Sequence, residues 1–207
     1  MLKDLFTFNL KFDRNVTAIT IVSTLLLMVD RYHNLSGVKV IDRVALYLLI
    51  PLAIIVFAFR ESPRDYGFQL GDWKAGLALT GIVIVIGAPI LWLVASGDPN
   101  MQQYYAWQRN AATPFITFLD LIGWEFFFRG WLLFGYARLF GDHALWLQAV
   151  PFALAHLGKP EVETLSTIFG GFLFGLVAWR SKSFLYAFLI HWFVATFTIY
   201  VAGSALP

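Results

Sequence analysis

Once the charges of the loops are set aside, the buried-looking ionisable residues of the sequence are Asp120, Glu125, Arg129, His156 and His191. A charged side chain at the centre of a bilayer costs about 2.5–3.5 kcal/mol even on lenient insertion scales, so groups of this kind turn inward and find partners. Glu125 and Arg129 stand one helical turn apart in 123-GWEFFFRGWLLFG-135 and can pair along one helix face. Taken alone, that pair is a structural staple. His156 closes 152-FALAHLGKPE-161 and His191 sits inside 188-FLIHWFVA-195. One carboxylate and two imidazoles therefore come from three separate helices, and a bundle can converge such groups on one interior pocket. They can activate water in two ways: as a general base with hydrogen-bond donors, or as three ligands of a zinc ion with one position open. Both routes lead to hydrolysis. No short motif such as His-Glu-x-x-His fixes two of the three in place. The expectation is a metal-free site without a cofactor; if zinc is bound, its ligands are Glu125, His156 and His191.

The elements that must position these groups are membrane helices. The chain of 207 residues is 59% hydrophobic and 14% charged, against roughly 45–50% and about 25% for ordinary soluble domains. Apolar runs near the spanning length recur along almost all of it. They read as a first run at 16–29, of uncertain span, then about 40–60, 73–96, 113–139, 143–157, 162–180 and 183–203, punctuated by Ser62-Pro63, Gly97-Asp98-Pro99, Gly141-Asp142, Gly158-Lys159-Pro160 and Ser181-Lys182-Ser183. The expected fold is all-α: a polytopic membrane bundle of about seven helices with an interior polar cavity, forming a single integral-membrane domain over residues 1–207. Residues 1–15 alternate apolar and charged side chains, as a segment lying on the membrane surface does. Gly170, Gly171 and Gly175 are small residues where two helices can approach closely.

The net charge is only +2, and the basic residues fall in the gaps between apolar runs, which argues against a nucleic-acid partner. Their distribution puts the N-terminus in the cytoplasm by the positive-inside rule, provided residues 16–29 cross, and places His156 near the outer end of its span. The absence of cysteine excludes disulfides, thiolate metal sites and a cysteine nucleophile.

Glu-x-x-x-Arg on one helix (Glu125, Arg129), Phe-x-x-x-His at the end of the next (Phe152, His156) and a histidine inside a late helix (His191) together resemble the CAAX prenyl protease and bacteriocin-processing family of intramembrane endopeptidases. The likeness covers residues 113–200. The resemblance implies a helix bundle around a water-filled cavity that cleaves a membrane-associated peptide, lipidated or not, with membrane lipids as the other partner. It implies catalytic roles for Glu125, Arg129, His156 and His191. Two positions depart from the family pattern. Trp124 stands where the family has the first of two adjacent glutamates, the water-activating base, and Ala195 stands where it often has an oxyanion-holding Asn.

Three carboxylates are candidates to replace the missing acid. Asp120 lies one turn before Trp124 on the same helix; its other reading is an interfacial or capping residue. Glu161 and Glu163 follow His156 and would reach the pocket rim; their other reading is an acidic helix start after Pro160, where carboxylates suit the positive end of the helix dipole. Trp124 either narrows the cavity or is packing. The leading functional expectation is an intramembrane endopeptidase in which Glu125 deprotonates water, His156 positions it, His191 donates to the oxyanion and Arg129 orients Glu125. The alternative is a non-catalytic relative that binds a peptide or lipidated partner in the same cavity. A transporter ranks last, since no pair of interrupted helices marks symmetric halves.

Overall fold

The computed structural model describes residues 9–204, so the expected surface segment at 1–15 lies largely outside the described residues. Seven long helices follow the apolar runs closely: α1 (Arg14–Tyr32), α2 (Lys39–Phe59), α3 (Trp73–Gly97), α4 (residues 113–140), α5 (Ala144–Leu154), α6 (Glu161–Ser181) and α7 (Leu185–Ala202). A short helix, Pro99–Tyr105, links α3 to α4, and there is no β-strand among the described residues. The helices α2, α3, α6 and α7 are long and apolar enough to cross a membrane. The 19 residues of α1 rise about 28 Å at 1.5 Å per residue.

The boundaries have local causes. Asp13 caps α1 through Val16 N–H, Asp72 caps α3 through Ala75 N–H, and Asp98 caps the linking helix through Asn100 N–H. The helix α6 opens after Pro160 with Glu161 and Glu163 in its first turn and ends at Lys182 in the left-handed conformation. Inside α4 the backbone widens to a π-helical stretch, Phe126–Leu132, a feature that often marks functional sites. Gly130 sits in it because a Cβ there would lie 2.6 Å from the Phe126 ring and 2.9 Å from the Tyr66 carbonyl oxygen.

Two clusters of polar contacts tie the two ends of the bundle. At the end where α1 begins, Glu61 accepts from Asn15 at 3.0 Å, from Tyr66 at 2.7 Å and from Arg138 at 2.5 Å. There too Asp72 pairs with Arg180 at 2.8 Å, and Tyr186 donates to the Leu70 carbonyl at 2.8 Å. At the opposite end Asp30 of α1 meets Lys39 of α2 at 2.8 Å, Arg43 meets Asp120 at 2.5 Å, and Tyr200 near the end of α7 donates to the Asn110 carbonyl at 3.0 Å. The helix α1 therefore runs the full distance between the two ends.

Three aromatic and hydroxyl contacts seat α4 in the centre. Trp131 donates to Ser23 of α1 at 2.8 Å, Thr117 shares a hydrogen bond with Thr196 of α7 at 2.8 Å, and Trp192 of α7 donates to the Pro114 carbonyl at 2.8 Å. The expected glycine packing holds for two of three positions. A Cβ on Gly171 or Gly175 would press on Ala149 and Phe152 or on Gln148 of α5, whereas one on Gly170 would meet nothing within 4 Å. Gly170 instead lines the interior cavity.

Burial alone would raise the Glu61 carboxyl; its hydrogen bonds from Tyr66, Arg138 and Asn15, with the Arg138 charge, outweigh that and hold it below its ordinary value. A depressed carboxyl contributes stability that is fully present above its unfolded value of about 4.3 and is lost as pH falls through the lower folded value. Glu61→Gln is therefore expected to lower the thermal midpoint at pH 7, with the gap to the parent narrowing only as pH drops below about 4. Midpoints measured in detergent between pH 3.5 and 7 check this.

Candidate active site

Glu125 ends the α-helical part of α4 and Arg129 follows within the π-helical turn, and both side chains are fully buried. Arg129 donates to Glu125 Oε1 at 3.0 Å and to the Gly171 carbonyl at 3.4 Å. Its guanidinium lies 4.0 Å from the centroid of the Phe152 ring and 5.2 Å from that of Phe174, which recovers part of the cost of keeping the charge out of water. The same carboxylate oxygen accepts from His191 Nδ1 of α7 at 2.5 Å. Glu125 Oε2 has no hydrogen-bond partner among the described residues.

His156 comes from the turn that ends α5. Its Nδ1 bonds to the Phe152 carbonyl one turn earlier, at 2.7 Å. A carbonyl only accepts, so Nδ1 carries the proton and Nε2 keeps its lone pair. The same logic applies to His191, whose Nδ1 faces a carboxylate, leaving Nε2 as the free nitrogen. The two imidazole centroids are 6.3 Å apart.

Both histidines line an interior cavity of about 530 Å³; Glu125 and Arg129 do not. The structure thus places Glu125 behind His191, and the carboxylate reaches the cavity only through that imidazole. One wall is the apolar face of α3, with Val83, Ile84, Gly87 and Leu91, and another is α6, with Val162, Ser166, Gly170 and Leu173. Ala195 lies in the wall beside His191. Trp124 also lines the cavity while 94% buried, its ring edge-on to Tyr47 at 5.5 Å and to His156 at 5.8 Å. Its indole N–H has no hydrogen-bond partner among the described residues.

The replacement acids separate. Asp120 lines the cavity but is held by Arg43 at 2.5 Å. Glu163 lines it too, held by Lys159 at 2.6 Å and by the Tyr105 hydroxyl at 2.6 Å. Glu161 is exposed at the start of α6 and does not reach the cavity. Both carboxylates in the wall are engaged by cations, so neither stands as a free base next to the histidines.

Sequence reasoning did not single out Arg43, Lys159 or Tyr105 as site residues. Arg43 carried a usable signal, since it lies inside the apolar run 40–60 and so had to find a partner. Tyr105 carried none, because its role depends on where the linking helix folds back.

The three-ligand metal arrangement does not fit the residues as placed. No group of three His, Asp or Glu side chains is arranged to hold a metal ion among the described residues. Glu125 Oε1 is already shared by His191 and Arg129, and Glu125 lies outside the cavity wall.

No curated protein and no solved structure matches the chain. Residues 106–197 match the family model described as Rce1-like, type II CAAX prenyl endopeptidase Rce1-like, a stretch that contains Glu125, Arg129, His156 and His191. With its helical bundle and apolar spans, the chain is a multi-pass integral membrane protein, and over residues 106–197 it is similar to this CAAX-type family of membrane endopeptidases.

Proposed function

We propose that the protein hydrolyses a peptide bond of a membrane-associated substrate, with His191 taking the proton of the attacking water and Glu125 acting behind it. The observation that carries this reading is the 2.5 Å contact between His191 Nδ1 and a fully buried Glu125, in a histidine that lines the cavity. A buried carboxylate on Nδ1 fixes the tautomer, holds the ring in place and offers a counter-charge when the imidazole becomes protonated. This assigns Glu125 a positioning role in place of the direct base expected from the sequence. Glu125 does not line the cavity, so its carboxylate acts through His191.

His156, which lines the same cavity and keeps its Nε2 lone pair free, accepts a hydrogen bond from that water and sets the direction of attack. The step balances: one water O–H bond breaks, the proton goes to His191 Nε2, the oxygen joins the carbonyl carbon, and the same proton then passes to the leaving amine as the C–N bond breaks. Arg129 neutralises Glu125 and keeps it from needing water.

Cleavage of membrane-anchored peptides by purified protein, with products identified by mass spectrometry, tests the reading. Products that vanish with His191→Gln support it, and equal product from that variant defeats it. Because the residues do not form a metal site, dialysis against a chelator is expected to leave the cleavage rate unchanged. A rate restored by added zinc after its loss would contradict this.

A non-catalytic relative that binds a peptide without cutting it is the second reading. Trp124 favours it, as an indole in the wall beside His156 where the family pattern has a carboxylate. Ala195 supplies no hydrogen bond to an oxyanion. The same assay decides: tight peptide binding without any product, in protein whose His191 is intact, selects this reading.

A further inference from the structure

The cavity belongs to one end of the bundle, and the distribution of cations assigns that end to a side of the membrane. Its charged and polar lining includes Arg43, Tyr105, Gln108, Asp120, Lys159 and Glu163. Every one of these lies at the end where α1 finishes and α2 starts, the end closed by the Asp30–Lys39, Arg43–Asp120 and Tyr200–Asn110 contacts. None belongs to the Glu61–Arg138 and Asp72–Arg180 end. The polar mouth therefore opens at one face, with the histidine pair beneath it.

The other face is the more cationic. Lys11 and Arg14 stand at the start of α1, Arg60 and Arg64 in the turn after α2, Lys74 at the start of α3, Arg138 near the end of α4, and Arg180 and Lys182 at the end of α6. Lys74 and Lys182 sit over the rings of Trp73 and Trp179, at 5.7 and 4.9 Å, as cations and aromatics at a headgroup boundary do. The cavity face carries fewer: Arg31, Lys39, Arg43, Arg109 and Lys159. Orientation follows Lys and Arg in short connections, with acidic residues contributing little. The face without the cavity is the cytoplasmic one.

We infer that the cavity opens to the non-cytoplasmic side, so that its substrate is a peptide segment presented at the outer membrane surface or delivered across the membrane. The identity of the ligand as a peptide rests on the function proposed above; the direction of the opening does not. An outward mouth excludes peptides confined to the cytoplasm, including any whose cleavage depends on a cytoplasmic lipid-transfer step. The apolar α3 and α6 walls receive the membrane-embedded part of such a segment, and the Arg43–Asp120 and Lys159–Glu163 pairs flank the aqueous part.

The absence of cysteine in the chain makes the test clean. Gln108→Cys and Ser166→Cys place single thiols in the cavity lining, and Asp65→Cys places one on the opposite face. Each variant is treated with a membrane-impermeant sulfonated maleimide in right-side-out and in inverted membrane vesicles. Labelling after denaturation gives the total reactive thiol, and thermal unfolding confirms that each variant is folded. The expected result is labelling of Gln108→Cys and Ser166→Cys only in right-side-out vesicles and of Asp65→Cys only in inverted ones. The reverse pattern overturns the inference and leaves the peptidase reading standing. Absence of cleavage in a protein with the expected labelling would do the opposite.

Discussion

His191→Gln is expected to lower the cleavage rate by about 10²–10⁴ without loss of fold, and Glu125→Gln is expected to lower it to a similar degree. The two residues act as one unit. His191 alone meets the cavity, and Glu125 acts through the 2.5 Å bond to its Nδ1. Residues that work as a unit are strongly non-additive. The double variant should therefore be no slower than the worse single one, whereas two independent contributions would multiply.

The single variants differ in stability, which separates a positioning role from a merely structural one. His191→Gln leaves the Glu125–Arg129 pair intact, so its thermal midpoint should stay near that of the parent. Glu125→Gln removes the counter-charge of a fully buried guanidinium and should lower it. Rates are accordingly compared per folded protein, and with Glu125→Asp as a second probe. Aspartate keeps the charge but draws the carboxylate back by one methylene, so it should hold Arg129 better than glutamine does while still weakening the contact with His191. Full activity of folded Glu125→Gln would remove Glu125 from the mechanism.

The bundle was legible because a membrane imposes its own spacing. Runs of about 20 apolar residues separated by Gly, Pro and charged clusters have few other readings, and the expected runs match α1 to α7 to within a few residues, with the largest differences at two of them. The expected run 143–157 ends as helix at Leu154, because the chain turns to present His156. The first run, expected at 16–29, is longer, Arg14–Tyr32, since Asp13 caps it and Asp30 finds cationic partners on α2. The pairing of Glu125 with Arg129 was also legible, being local and set by helix geometry.

What the sequence did not carry is the direction in which the Glu125 carboxylate faces. The i,i+4 rule says that two side chains meet; it does not say on which side of the helix the cavity lies. That depends on α7 delivering His191 to the same oxygen and on the π-helical turn resetting the register after Glu125. The surroundings of the three candidate acids were not legible for a related reason: Glu161 stays out of the cavity wall. Asp120 and Glu163 did reach the cavity, but Arg43, Lys159 and Tyr105, drawn from other elements, already hold them.

Arg129→Met should be the most damaging substitution to stability, by about 3–5 kcal/mol. Methionine fills much of the same volume, so the loss is electrostatic rather than a cavity. Glu125 would remain fully buried, with one oxygen lacking a partner among the described residues and the other held there by His191 alone. The stacking of the guanidinium on Phe152 would go as well, at a cost of about 0.5–2 kcal/mol. Thermal unfolding in detergent, followed for the parent, Arg129→Met, Glu125→Gln and the double variant, isolates the pair. Removing both charges should recover a large part of what either single change loses, because a buried pair replaced on both sides no longer leaves an uncompensated charge. If Arg129→Met instead unfolds at the parent temperature, Glu125 does not carry a charge that needs Arg129 in the folded state. The counter-charge assigned to Glu125 behind His191 would then fail with it, since the same ionised carboxylate is required by both.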